Sequence, residues 1–415
     1  MRTAFAFLIA MLVAAVSAAA APVRVSLWRH ETDPVELEAG LQAVARFNSQ
    51  QQRWFLDAET LPQETYTSSI AAAALAGQLP CLMTLDQPVV PNFAWARHIR
   101  PLDDLVLPET LASLSEGGKG AYRGHIYSVG QFDAVLVLFA KRSDLGKFGV
   151  RVATMNSPYS AAEFHDILRN IKAKEPRLFP LDLNSRSVGE WISYAFSPWI
   201  QSAGGDIIDR KSQRTADGFI NGPPARTVAR WYQSLFAERL VEQRVVDDQG
   251  LIQGRTAFHY SGSWEVVRYS QQFGDDLVIM PPPDFGHGPK VGAGSWHWGV
   301  SATCRHPEAA ADFLEFLLTP AEIAATSDIR ALVPTTEAGA ALSNYYRTGS
   351  PFRIIYEFAR AYAIKRPETP GYPKISSAFE KAMLDIRYGK NVEDALDAAA
   401  DAIDDDIRRN VGYGF

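Results

Sequence analysis

The sequence predicts an α/β protein with largely parallel sheets, and three observations carry that prediction. Strand-like and helix-like patterns alternate along the chain, helix starts carry capping boxes, and polar and aromatic residues gather where strands hand over to helices. The 415 residues are 47% hydrophobic and 21% charged, ample for cores in two or three domain-sized units. That composition excludes a disordered tail, a collagen-like fibre and a disulfide scaffold.

Residues 23–28 alternate apolar and polar side chains and read as a strand. Asp33 can cap the helix that follows, with Pro34 at its first position and Glu36 completing a capping box. Leu37, Leu41 and Val44 then form an apolar stripe. Trp28, Arg29, His30, Glu31 and Thr32 lie between strand and helix, where open α/β sheets bind ligands. Residues 66–77 read as a helix closed by Gly77, and 81–85 as a strand ending at Asp86. Asp86 thus sits at a strand's carboxyl end, in reach of a ligand crevice or serving as a turn cap. Gln131 and Asp133 flank Phe132 ahead of an apolar strand over 135–139, two polar groups on one side of an extended chain. Ser160 and Glu163 form a second capping box, leading Phe164, Ile167, Leu168 and Ile171. After the turn-rich stretch 281–289, which reads as a linker or exposed loop, a helix over 309–318 precedes a third box from Thr319 to Glu322.

Lys and Arg number 41 against 47 Asp and Glu, a net charge of −6, which argues against nucleic acid as a partner. Arg2, an uncharged apolar stretch over 4–16 and small residues from Ser17 to Ala21 follow the order of a secretory signal peptide over residues 1–21. The stretch falls short of the ~20 residues a membrane span needs. The expected product is soluble and exported, with the bacterial periplasm as its compartment. Export permits a disulfide between Cys81 and Cys304, but each sits in an apolar run, and buried free thiols are the simpler expectation.

No Gly-x-Ser-x-Gly elbow, Walker loop or dinucleotide fingerprint occurs, and Pro34 stands where a second zinc-binding His would follow His30-Glu31. Eight histidines show no ligand spacing, so no metal and no cofactor are expected. Nine tryptophans stand out instead, several beside glycines and charged residues: Trp28, Trp191 after Glu190, Trp264 before Glu265, and Trp296 with Trp298. An indole flanked by glycines keeps an accessible face, and the alternative for each is core packing. Sugar rings offer C–H patches to such faces and hydroxyls to carboxylates, each charge-assisted bond contributing about 1.5–3 kcal/mol.

In these residues the sequence resembles the extracellular solute-binding proteins of ABC-type sugar importers, of the maltose- and trehalose-binding kind. The matching pieces run from residue 23 to about 409. They are the opening strand with Trp28 to Glu31, Ala76-Gly77-Gln78-Leu79-Pro80, Ile126-Tyr127-Ser128-Val129-Gly130, and the segment 201–206. Further on they are the segment 294–301, the helix over 309–318, and Arg366-Pro367 with Pro373. The resemblance implies a two-lobed periplasmic-binding-protein fold of class II type, each lobe a mixed, mostly parallel sheet flanked by helices, joined by a multi-segment hinge. Lobe 1 would comprise 22–130 and 299–338, lobe 2 131–298 and 339–415, with crossings near 127–133, 299 and 334–342.

By motif position the resemblance makes Asp86 a carboxylate for sugar hydroxyls, Trp296 and Trp264 stacking aromatics, and Arg366 a guanidinium donor. His30 and Glu31 fall on the loop that touches ligand from the first lobe, and Gln131 replaces an aromatic of the family. Glu190, Asp133 and Glu265 join on chemistry and position, and Trp28 and Trp298 complete the candidate substrate-binding set. The implied function is capture of a mono- or oligosaccharide or polyol and its delivery, by a monomer, to ABC permease transmembrane subunits. An alternative is a secreted glycoside hydrolase pairing Asp86 with Glu265 or Glu31. Another is a binding protein for a polyamine or phosphorylated solute, although the mixture of Arg, His, Gln, Trp and Asp suits neutral polyols better.

Overall fold

Buried Val25 and Leu27 alternate with exposed Arg24 and Ser26, and this period of two makes β1 (Val23–Glu31). The structure is a computed structural model that describes residues 21–31 and 34–414. The expected signal segment up to residue 20, the Asp33 cap and the side chain of Glu31 lie outside the described residues. After β1 come β2 (Trp54–Pro62), β3 (Leu82–Asp86), β4 (Lys119–Tyr122), β5 (His125–Val129) and β6 (Phe132–Asp133). Next are β7 (Leu136–Lys141), β8 (Leu181–Asp182), β9 (Phe258–Gly262) and β10 (Leu277–Met280). The last are β11 (Val291–Ala293), β12 (Trp296–Val300), β13 (Val333–Pro334) and β14 (Ala363–Lys365).

These strands form two main sheets, ordered β2-β1-β3-β12-β5-β4 and β10-β7-β9-β8, and two short pairs, β11-β14 and β13-β6. The fold is α/β, as predicted, but its sheets are more mixed than expected. Within the main sheets, parallel pairing joins β1 to β2 and β3, and β8 to β9. β12 runs antiparallel to both β3 and β5, because it enters the first sheet as the chain returns from the second rather than through a helical crossover.

Each sheet has its own core. Under the first, Leu27, Leu56, Leu82, Val129 and Val300 pack on Phe313 and Leu314 of the helix Pro307–Leu317. Under the second, Leu138, Phe164, Trp199, Tyr232 and Phe258 pack with Phe379 and Leu396. Two cores under two sheets make two lobes. The chain has returned to the first lobe by Trp296, three residues ahead of the expected 299, since all of β12 belongs to the first sheet. The helix Pro320–Arg330 also stays with the first lobe, where Ile323 is buried and Glu322 meets Arg46 Nε at 2.9 Å. Val333 already packs with Ile355 and Phe358 of the second lobe, so that crossing falls between Arg330 and Val333, earlier than the expected 334–342.

The N-cap half of each box forms, with the side chains of Ser160 and Thr319 accepting from the backbone N–H groups of Glu163 and Glu322, while the two Glu carboxylates pair with Arg151 and Arg46 rather than folding back. In the helix Pro34–Gln50 the buried stripe is Ala43, Val44 and Phe47, while Leu41 faces solvent. The proline-rich stretch is no linker but a loop exposed only at its tip, Gly286 and His287. Pro281, Pro282 and Pro283 are buried, and Phe285 packs edge-on against Trp231 at 5.1 Å. Proline brings no N–H that burial would leave unsatisfied.

The two cysteines are not free thiols. Pairing of β3 with β12 sets Leu82 opposite Val300, and Ser301 N donates to Cys81 O at 2.9 Å. That pairing brings Cys81 and Cys304 to a Cα separation of 4.4 Å, and they form a disulfide.

Candidate solute-binding site

The carboxyl end of β3 is where the first lobe gathers its polar and aromatic side chains. Asp86 closes the strand, directly opposite Trp296 at the start of β12. His30, near the end of β1, stacks on Trp296 with ring centroids 3.6 Å apart and planes 17° from parallel. Tyr66 meets both rings edge-on, at 5.9 and 5.7 Å, and its hydroxyl donates to Trp28 O at 3.2 Å. Trp28 packs, half-buried, on the same cluster. His30 Nδ1 lies 3.1 Å from Thr84 Oγ1, and burial, with Arg29 adding to it, lowers its pKa to about 3. This imidazole is neutral at any physiological pH.

The second lobe supplies the facing groups from the first turn of the helix Glu190–Ser202, which Gly189 opens with φ of +68°. Trp191 packs 6.2 Å from Tyr194, and Trp264, just past β9, stands edge-on to Trp191 at 6.4 Å. Gly262 is required beneath it, because a Cβ there would lie 2.0 Å from the Trp264 ring.

Arg366 joins the two sets. Its guanidinium is 4% exposed, donating from Nη1 to Glu190 Oε1 at 2.7 Å and from Nη2 to Gly294 O at 2.9 Å. The same Nη2 reaches Asp86 Oδ1 at 3.3 Å, so one cation links carboxylates of both lobes, lying 5.1 Å over the Tyr194 ring. Burial pushes the Asp86 carboxyl up to about 6, with Arg366 opposing and Glu190 reinforcing the rise. Asp133 sits beside the crossing, where its Oδ1 accepts from Ala134 N at 2.8 Å and Gly294 N at 2.9 Å. Burial raises it to about 6 as well, against those two backbone bonds.

The structure thus gathers His30, Trp28, Trp296, Asp86, Glu190, Arg366, Asp133 and Trp264 around the junction of the lobes. Three other candidates stand apart, each already engaged elsewhere. The Gln131 amide donates to Leu317 O at 2.9 Å and Thr326 Oγ1 at 3.0 Å, anchoring a crossing strand. Glu265 is 6% exposed and paired with Arg268 at 2.7 Å. Trp298 packs edge-on against Phe313 of the first-lobe core, at 5.7 Å. Trp191 was singled out for its indole but not placed in the substrate-binding set, and Tyr66, Tyr194, Tyr372 and Ser376 were not anticipated at all. The last two both donate to Glu190, Ser376 Oγ to Oε2 at 2.6 Å. A faint signal existed: Glu190, Trp191 and Tyr194 share a helical turn, and Tyr372 and Ser376 are one turn apart.

An arrangement of flat rings, ionisable acceptors and a fixed guanidinium suits a ligand with apolar faces and many hydroxyls. Among the described residues, no helix is long and apolar enough to cross a membrane.

Comparison with known proteins agrees with this fold. Over 94% of the chain, the fold matches the cyclic α-maltosyl-1,6-maltose binding protein of Arthrobacter globiformis, all of which is covered, with a TM-score of 0.79 and 22% identity. The GacH receptor of Streptomyces glaucescens matches over 94% of this chain and 98% of its own, at 20% identity and a TM-score of 0.76. The sugar-binding protein MalE of Xanthomonas citri matches over the same shares, at 17% identity and a TM-score of 0.77. No curated protein sequence matches the chain. The sequence profile of bacterial extracellular solute-binding proteins matches residues 42–347, most of the chain. The chain belongs to the bacterial extracellular solute-binding proteins.

Proposed function

We propose that this protein captures a mono- or oligosaccharide between its lobes in the periplasm and delivers it to the transmembrane subunits of an ABC permease, without acting on it as an enzyme. The observation that carries the reading is Arg366, held between Asp86 of one lobe and Glu190 of the other, beside the His30–Trp296 stack and the Trp264–Trp191 wall. A sugar seated there contacts both lobes only when they are closed, so binding shifts the population toward the closed form. The matched structures are binding proteins, several for oligosaccharides, and export fits both the family and the residue order of segment 1–21. Micromolar affinity, about −8 kcal/mol, is within reach of two stacked rings and several charge-assisted bonds. Calorimetric titration with maltose, trehalose, maltotriose and mannobiose tests this. The expected result is saturable heat and thermal stabilisation with at least one. No heat and no stabilisation across the panel would sink the proposal.

Capture should also weaken in acid. A sugar hydroxyl donates to ionised Asp86, so ligand favours the deprotonated form of a carboxyl that burial holds near 6. Affinity is therefore full above about pH 7 and falls as pH drops through 6, by at most about tenfold per pH unit. Neutral His30 does not contribute, its pKa lying near 3. Titration of wild type and Asp86→Asn from pH 5 to 8 checks this. A slope that survives in Asp86→Asn assigns the dependence to another group.

A further inference from the structure

We infer that Tyr372 and Ser376 are positioning residues for Glu190, and that their hydroxyls leave its carboxylate a single acceptor site for the captured sugar; this rests on the sugar-capture reading above. An ionised carboxylate offers about four lone-pair sites. In Glu190, Oε1 accepts from both Arg366 Nη1, at 2.7 Å, and the Tyr372 hydroxyl, while Oε2 accepts from Ser376 Oγ at 2.6 Å. One site on Oε2 remains. Tyr372 and Ser376 are buried, whereas the Glu190 side chain keeps 31% of its surface exposed, so the donors come from the interior and part of the side chain stays open to a ligand.

The clamp is built on rigid elements. Both hydroxyls project from the opening of the helix Tyr372–Arg387, four residues apart and hence on one face. Ser376 Oγ also lies 3.0 Å from Ser193 Oγ, on the helix that carries Glu190, so the same hydroxyl chain ties the two helices together. All of these groups except Arg366's second nitrogen act within the second lobe. Glu190 therefore holds its orientation whether or not Arg366 reaches Asp86.

Asp86 is treated differently. Among the described residues, the one side chain that donates to it is Arg366, at 3.3 Å. Beyond Arg366 and the backbone N–H of Gln87, its remaining lone pairs are open to ligand hydroxyls, whereas Glu190 has one left. The two acids thus divide the recognition of one sugar. Tyr372 and Ser376 decide how selective the Glu190 half is, because without them the carboxylate turns freely and accepts hydroxyls from more directions.

The test is a double-mutant titration with the tightest ligand of the saccharide panel, using wild type, Tyr372→Phe, Ser376→Ala, Glu190→Gln and the two combinations with Glu190→Gln. Tyr372→Phe keeps the ring that fills the buried space, and thermal unfolding confirms that each variant folds. Each hydroxyl deletion is expected to weaken binding about tenfold in wild type and less than about twofold in Glu190→Gln. A purely structural role would cost the same factor in both backgrounds. Such equality, or a Tyr372→Phe and a Ser376→Ala that both titrate as wild type, would overturn the positioning role while leaving sugar capture intact. A wild-type chain that binds no saccharide overturns the capture reading itself, and this one with it.

Discussion

Replacing Cys304 with alanine is expected to destabilise the first lobe by about 5 kcal/mol, the chain-entropy contribution of a cross-link that closes so long a loop. The bonded cysteines are 223 positions apart, and the loop between them contains the whole second-lobe sheet. The reduced unfolded chain regains the freedom of that entire loop, while the native lobe keeps the β3–β12 pairing that brought the sulfurs together. Denaturant unfolding of Cys304→Ala, and of wild type with and without reductant, measures the difference. Reduced wild type should match the variant. If both unfold at the midpoint of the oxidised wild type, the bond contributes nothing to stability. Sugar affinity well below the unfolding transition should change little, since the disulfide touches none of the site residues.

Arg366→Met should be nearly as damaging, and its effect should depend on pH. Removing a guanidinium that is 4% exposed leaves Asp86 and Glu190 without their shared counter-charge, and breaking such a buried pair costs about 3–5 kcal/mol. Glu190 retains Tyr372 and Ser376, so the uncompensated charge falls mainly on Asp86. Arg366 is the group that holds the Asp86 carboxyl down against burial, so its loss raises that carboxyl further above about 6. The native state then binds a proton that the unfolded chain, with an ordinary carboxyl near 4, has released. Stability tied to this group is present in acid and lost as pH rises through the raised value. The deficit of Arg366→Met should accordingly be smaller at pH 5 than at pH 8, as measured by urea unfolding. An equal deficit at both would mean that packing, not charge, is what the arginine supplies. Sugar binding at pH 8 should be lost in either case.

Local chemistry was legible in the sequence because it depends on near neighbours. Alternation announced β1, a short apolar run ending at a polar residue announced β3, Ser160 and Thr319 announced their helices, and Asp86 could be placed at the carboxyl end of a strand. Strand–helix alternation, with the resemblance carried by the matching segments, sufficed for an α/β fold in two lobes. Spacing did not say which of several similar residues would meet. Glu265 and Trp298 have the same chemistry as residues that reach the junction, and Gln131 lies two residues from one of them, yet the donors, charge and ring of these three are taken up by Leu317, Arg268 and Phe313.

What the sequence by itself determined, then, was the type of each element and the stock of aromatic and acidic groups at strand ends. Tertiary structure alone decided that Arg366 stands between Asp86, 280 positions away, and Glu190, 176 positions away, and that Cys81 meets Cys304. For the cysteines the reason is the antiparallel return of β12, and for Arg366 it is the pairing of β14 with β11, which sets Lys365 opposite Ala293. Periodicity along a chain records which face a residue shows, whereas the partner on that face is chosen by strand pairing and burial summed over the whole molecule.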